Sequence, residues 1–215
     1  MKEMGIKYMV TLYITRHGET EWNTEKRLQG WQNSNLTENG VHKAKLLGEK
    51  LKDTHFDAIY SSPSGRTKET ASLIRGERKI PLFYDELLKE IHMGAWEGKQ
   101  ISSIKELYPK EHEAFWNMPH LYQQAGAETF KDVQNRASAF LAKMEEQHQT
   151  GDILIVTHTV VIKCLLSIFK NLPIKRLWDP PYIHDTCLTI VEWTSNGANM
   201  VLEADMSHLK DIINR

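Results

Sequence analysis

Arg16, His17, Arg66, Glu90 and His158 are the side chains whose types could combine into a reaction centre: two permanent cations, two imidazoles and a carboxyl able to give or take a proton. Taken alone, Arg16-His17-Gly18-Glu19-Thr20 is a polar pentapeptide after an apolar run, and its plainest reading is a solvated turn with a glycine for backbone shape. Its partners argue for more. All five can converge at the carboxyl edge of one sheet, where open α/β folds bind ligands. Arginines and histidines gathered at such an edge suit a dianion.

The elements that must position them follow from periodicity. Val10 to Thr15 is rich in β-branched and aromatic residues and predicts a buried strand leading directly into Arg16 and His17. From Thr37, a plausible N-cap, Val41, Ala44, Leu47 and Leu51 recur at helical spacing. Asp57 to Tyr60 predicts a short strand, closed by Ser61-Ser62-Pro63 and followed by a helix over Ser64 to Arg75 that carries Arg66. Ile80 to Tyr84 predicts another short strand. Ile153 to Thr157 is an aliphatic run of the kind found in a parallel central strand, and it delivers His158 at its end. Helical periodicity returns over Thr129 to Gln147 and over Val160 to Phe169, and Thr186 to Trp193 and Met200 to Glu203 supply two last strands. Strands alternating with helices predict an open, mostly parallel α/β sheet with helices on both faces.

Met93 to Ala127 breaks this pattern. Trp96, Tyr108, Phe115, Trp116 and Tyr122 fall there at irregular intervals, which predicts a helical lid or insertion in a single domain spanning 1–215. Within it Trp116 and Tyr122, and beyond it Tyr182, are candidate substrate-pocket walls.

Composition narrows the partners. Lys plus Arg (27) nearly balance Asp plus Glu (28), so no strong field draws the chain to nucleic acid or anionic lipid, and an anionic ligand needs a local pocket. Met1 to Met9 lacks the apolar core of a secretory leader, and no apolar run approaches a membrane span. Cys164 and Cys187 sit among aliphatic residues without CxxC spacing, as free buried thiols in a reducing cytoplasm would. His42, His55, His112, His148 and His208 lie in polar surroundings and read as surface residues, whereas His92 and His184 are candidates for the pocket. None forms an HExxH or similar cluster, so neither a catalytic metal nor another cofactor is expected.

Leu12-Tyr13-Ile14-Thr15-Arg16-His17-Gly18-Glu19-Thr20 resembles the Arg-His-Gly signature of the histidine phosphatase (phosphoglycerate mutase-like) family. The resemblance continues in family order through Gln29-Gly30-Trp31, Leu36-Thr37-Glu38-Asn39-Gly40, Ser61-Ser62-Pro63-Ser64-Gly65-Arg66, Glu90, Gly94-Ala95-Trp96-Glu97-Gly98 and Val156-Thr157-His158. Trp178-Asp179-Pro180-Pro181-Tyr182 and His184-Asp185-Thr186 make the chain most similar to the broad-specificity phosphatases of bacilli. The resemblance implies a three-layer α/β/α core with a helical subdomain over the site, and hydrolysis of small phosphate esters. It implies Asn23 and the backbone N–H of Thr159 as further phosphate contacts. Many family members carry glycine where this chain has Thr159, and the branched side chain narrows backbone approach to phosphate.

A phosphate monoester dianion needs charge neutralisation, an in-line nucleophile and a proton for the departing alkoxide. His17 supplies the nucleophile if one ring nitrogen is neutral and the other donates to a fixed acceptor such as a backbone carbonyl. Arg16 and Arg66 match phosphate oxygens, a protonated His158 adds a donor, and Glu90 is the general acid and then the base. Two other readings use the same residues: a cofactor-dependent phosphoglycerate mutase, which keeps the phosphohistidine until a second acceptor binds, and a catalytically silent phospholigand-binding protein. The oligomeric state is left open.

Overall fold

The computed structural model describes residues 8–210, so the leader reading of Met1 to Met9 lies almost wholly outside the described residues. In chain order the elements are β1 (Met9–Arg16), α1 (Glu21–Thr24), α2 (Glu38–Lys50), β2 (Ala58–Ser61), α3 (Gly65–Arg75), β3 (Leu82–Tyr84), α4 (Ile101–Leu107), α5 (Pro109–Asn117), α6 (Phe130–Gln147), β4 (Thr150–Thr157), α7 (Thr159–Phe169), β5 (Leu188–Thr194) and β6 (Gly197–Asp205). They build one six-stranded sheet in the order β3-β2-β4-β1-β5-β6. The first four strands in that order are parallel, while β5 and β6 extend the sheet antiparallel.

Alternation along the strands separates two cores. Val10, Leu12 and Ile14 of β1 and Ile153 and Ile155 of β4 pack with the apolar faces of α6 and α7. Leu154 and Val156 of β4 point the other way, into a smaller core with Leu47 of α2 and Ala71 and Ile74 of α3. Helices thus cover both faces of the sheet, which is the expected three-layer α/β/α sandwich. Thr37 caps α2 by accepting from the Gly40 N–H, and Thr129 caps α6 in a reciprocal box with Asp132.

Register brings the chemistry to one edge. Arg16 pairs with Thr157 and Ser61 pairs with both Val156 and Tyr84, so the parallel strands end level with one another. Arg16, His17, Ser62 and His158 consequently leave the sheet side by side. The predicted strand from Thr186 starts instead at Leu188, because Thr186 takes a left-handed turn (φ 55°).

The segment expected to be irregular and helical folds as α4 and α5 flanked by 3₁₀ turns at Gly94–Trp96 and Pro119–Leu121. Its Trp96, Phe115 and Tyr122 rings join Phe130 of α6 in the larger core. No helix among the described residues is long and apolar enough to cross a membrane.

The start of α2 lies against the backbone that carries Arg16 and His17. A Cβ on Gly40 would sit 2.1 Å from the Glu19 carbonyl oxygen, and one on Gly18 would sit 2.7 Å from that of Gly40. Backbone atoms cannot yield as a side chain can. Gly40→Ala should cost roughly 1–3 kcal/mol, as overpacking does, and lower the melting temperature by about 2–4 °C per kcal/mol. A thermal melt identical to wild type would show that α2 can move away without loss.

Candidate active site

His17 follows the last residue of β1, and its backbone N–H still donates to the Thr157 carbonyl at 3.0 Å. The side chain is almost fully buried, with Nδ1 2.7 Å from the Gly18 carbonyl oxygen. Because a carbonyl only accepts, Nδ1 carries the proton and Nε2 keeps its lone pair. The Gly18 N–H donates to the Thr70 hydroxyl at 3.0 Å, and that hydroxyl donates to the Arg66 carbonyl at 2.7 Å. The loop bearing the histidine is thereby tied to the helix bearing the arginine. Burial first, and then the charges of Arg66 and Arg16, hold the His17 pKa well below the ordinary histidine value.

Arg66, in the first turn of α3, is buried and held by the carbonyls of a loop. Its Nη1 donates to the Gln32 carbonyl at 2.7 Å, and Nη2 donates to the Gly30 carbonyl at 2.9 Å and to His158 Nδ1 at 3.1 Å. Gly30 has φ 52°, and a Cβ there would meet Glu97 Oε1 at 2.3 Å, so glycine is required in this carbonyl-presenting loop. Burial pushes the Arg66 pKa down to about 10, which leaves it cationic at neutral pH. Arg16 donates through Nη1 to the Ile183 carbonyl at 3.2 Å. In both arginines Nε is buried and has no acceptor among the described residues.

His158, the N-cap of α7, is fully buried. Accepting from Arg66 at Nδ1 makes it the Nε2–H tautomer, and Nε2 donates to the Ser62 hydroxyl at 2.8 Å. Its pKa is also held well below the ordinary value, by burial first and then by Arg66 and His17. The two imidazoles meet edge to face with centroids 5.3 Å apart, both neutral and in opposite tautomers.

Glu90 lies in the loop after the short 3₁₀ turn Glu86–Leu88. One carboxyl oxygen accepts from the Ile91 N–H at 2.9 Å and the other from the Val160 N–H in the first turn of α7 at 3.4 Å. Its side chain opens on a cavity, yet the surrounding protein desolvates it enough to raise its pKa against the opposing pull of the Ile91 N–H and Arg66. Burial therefore outweighs the neighbouring positive charge.

Arg16, His17, Arg66 and Glu90 line a cavity of about 560 Å³, and Asn23, Thr159, Trp116 and Tyr182 line it with them. Asn23 uses its carbonyl oxygen to cap α1, accepting from the Thr20 N–H at 3.1 Å, which leaves its amide NH₂ as a donor. Trp116 (37% exposed) and Tyr182 (71% exposed) stand at the solvent side. Tyr122 is a correction. It is 1% exposed, absent from the cavity wall and packed among Trp96, Phe115 and Phe130, because burying its ring completes the aromatic core. His158 lines a second cavity of about 230 Å³, shared with Ser62, Ser64, Lys89 and Glu90.

Neither His92 nor His184 lines the main cavity; His92 packs on Trp31 and His184 on Tyr182. His148 and His208 depart from the expected surface setting. His148 bonds the Tyr60 hydroxyl at 2.9 Å, and burial takes the His208 pKa down to about 4. Among the described residues no group of His, Cys, Asp or Glu is placed to hold a metal ion. Sequence reasoning missed Met93, Ile101 and Lys163 as cavity residues, and it missed Arg136, which bonds the Glu90 backbone at 3.0 Å. Arg136 lies among the polar positions of amphipathic α6, a pattern that reads as solvent-facing.

Residues 12–206 match the family model of the histidine phosphatase superfamily (branch 1), and the chain belongs to that superfamily. It is similar to phosphoserine phosphatase 1 of Hydrogenobacter thermophilus, 32% identical over 79% of this chain and 81% of that one. It is also similar to the probable phosphoglycerate mutase GpmB of Salmonella choleraesuis, 31% identical over 94% and 95%. Among solved structures, YhfR of Bacillus stearothermophilus superposes with a TM-score of 0.91 at 46% identity, covering 94% of this chain and all (100%) of that one.

The two tautomers can be read directly. Nitrogen-15 NMR of the imidazoles at pH 6.5 should show both His17 and His158 uncharged, with the proton on Nδ1 in His17 and on Nε2 in His158. An imidazolium at either position, or the same tautomer at both, would contradict the hydrogen-bond assignment.

Proposed function

We propose that the chain is a metal-independent phosphomonoesterase that works through a phosphohistidine on His17. The observation carrying this reading is the state of His17 beside its neighbours. Nδ1 is committed to the Gly18 carbonyl, which leaves Nε2 nucleophilic, and two guanidinium groups with uncommitted buried Nε–H donors line the same cavity. A buried donor without an acceptor costs about 1–3 kcal/mol, and phosphate oxygens would recover that cost.

In the first step Nε2 attacks phosphorus, the bond to the ester oxygen breaks, and Glu90 gives its proton to the leaving alkoxide. In the second, water attacks the phosphohistidine while Glu90 takes the proton back, releasing phosphate and restoring Nε2. Arg16 and Arg66 neutralise the transferring group, with the amide of Asn23 and the first turn of α7 at Thr159 beside them. His158 joins as a donor on taking up a proton, which a dianion favours and which releases its Nδ1 from Arg66. All the charge stabilisation required is supplied by side chains and backbone.

Broad specificity fits the walls. Met93, Ile101, Phe115, Trp116 and Trp178 offer apolar area rather than a fixed hydrogen-bonding pattern, and such walls separate alcohols by only about 1–3 kcal/mol per methylene. α4 and α5 contribute Ile101, Phe115 and Trp116, and act as the lid of a single domain. Small phosphate esters are the partners this site accommodates. Cys164 and Cys187 are buried free thiols with raised pKa values, that of Cys187 reaching about 12, which suits a reducing cytoplasm. The likeness to GpmB keeps a mutase as the second reading.

Hydrolysis of p-nitrophenyl phosphate, phosphoserine, sugar phosphates and 3-phosphoglycerate with EDTA present tests these readings. Phosphate release from several esters, lost in His17→Ala, is expected. Formation of 2-phosphoglycerate with little phosphate release would make the chain a mutase, and silence on every ester would leave a binding protein. With an alkyl ester, kcat/KM should fall as pH rises through the elevated Glu90 pKa, and its acid limb should lie below the ordinary histidine value of 6.5 once substrate ionisation is allowed for. Glu90→Gln should cost about 10²–10⁴-fold on that ester and remove the alkaline limb. A rate climbing steadily to pH 9 would contradict the role of Glu90.

A further inference from the structure

Glu90 sits in a stretch with no ladder or helix of its own, since the sheet edge ends at Tyr84 and the next helix, α4, starts at Ile101. Something else must hold it. Arg136, on α6, reaches this loop with every N–H of its guanidinium engaged. Nη1 donates to the carbonyls of Leu87 at 2.9 Å and Lys89 at 2.5 Å, and Nη2 donates to the carbonyl of Glu90 at 3.0 Å. Nε and the remaining Nη2 hydrogen grip Glu128 as a fork, at 2.9 and 3.0 Å.

Glu128 in turn holds the far side of the same loop. Its carboxylate accepts from the His92 N–H at 2.8 Å, and its own N–H donates to the His92 carbonyl at 2.9 Å. Residues 87, 89, 90 and 92 are thus bound by one ion pair, with Glu90 inside the bracket. Trp31 adds an indole N–H to the Glu90 carbonyl at 2.8 Å.

We propose that Arg136, braced by Glu128, is a positioning residue for the proton-transfer step, setting where the Glu90 carboxyl stands relative to the leaving oxygen. The proposal rests on the phosphatase reading above. Neither side chain lines the main cavity, so neither is placed to touch substrate. The fork matters because lysine, with three donors on a point charge, cannot reproduce three carbonyl bonds and a bidentate carboxylate contact. A displacement of about 1 Å in a reacting group costs on the order of 100-fold.

The test uses two esters that differ in their need for an acid. An alkyl phosphate must have its leaving oxygen protonated, whereas p-nitrophenolate departs without help. For Arg136→Lys, kcat/KM on the alkyl ester should fall about 100-fold, while that on p-nitrophenyl phosphate falls only a few-fold. Glu128→Gln should show the same selectivity to a smaller degree, and it carries the test if Arg136→Lys does not fold. Glu90→Gln is the reference: its own selectivity between the esters shows whether Glu90 is the acid at all. Equal losses on both esters in the clamp variants, or no loss on either, would overturn the positioning role while leaving the phosphatase reading intact. A wild type inactive on both esters, or a Glu90→Gln variant without selectivity, would overturn the phosphatase or acid assignment and this proposal with it.

Discussion

A buried guanidinium, that of Arg66, and a half-buried one, that of Arg16, stand beside an imidazole that must stay uncharged, and the surrounding structure answers that constraint. Removing a cation from water is costly unless polar groups replace the solvent. Among the described residues no carboxylate forms an ion pair with Arg66; backbone carbonyls of Gly30 and Gln32 and the ring of His158 receive its donors. Carbonyl dipoles hold a guanidinium without cancelling its charge. Arg66 therefore remains a cation able to act on a ligand, and its field helps keep His17 and His158 neutral.

That arrangement depends on loops more than on regular elements. The level ends of β1, β2 and β4 bring His17, Ser62 and His158 together, but the glycine-bearing loop around Gly30 shapes the arginine pocket. Glu97 pins that loop by accepting from the backbone N–H groups of Trp31 and Met93, both at 3.0 Å. Gly30 and Glu97 both fall in the motifs that carry the family resemblance, and here each has a structural reason.

Much of this was legible in the chain. β1 is an apolar run ending in Arg16 and β4 one followed directly by His158, and Thr37 and Thr129 are caps that local chemistry dictates. Other residues escaped because their roles depend on distant partners. Tyr122 and Trp116 are both aromatic residues in one irregular segment, and only tertiary packing sends the first into the core and the second to the cavity. The same holds for His208, whose polar sequence neighbours conceal a half-buried ring. The balance of burial against charge at Glu90 is a property of the folded environment that spacing does not encode.

The central claim is that His17 carries the phosphoryl group on Nε2. Mixing enzyme with a phosphate ester, quenching in alkali after milliseconds and mapping the modified peptide by mass spectrometry tests it directly. One phosphoryl group on His17, bonded at Nε2 and absent from His17→Ala, is the predicted result. Rapid phosphate release with no phosphohistidine at any quench time, or a phosphoryl group found on His158, would contradict the account.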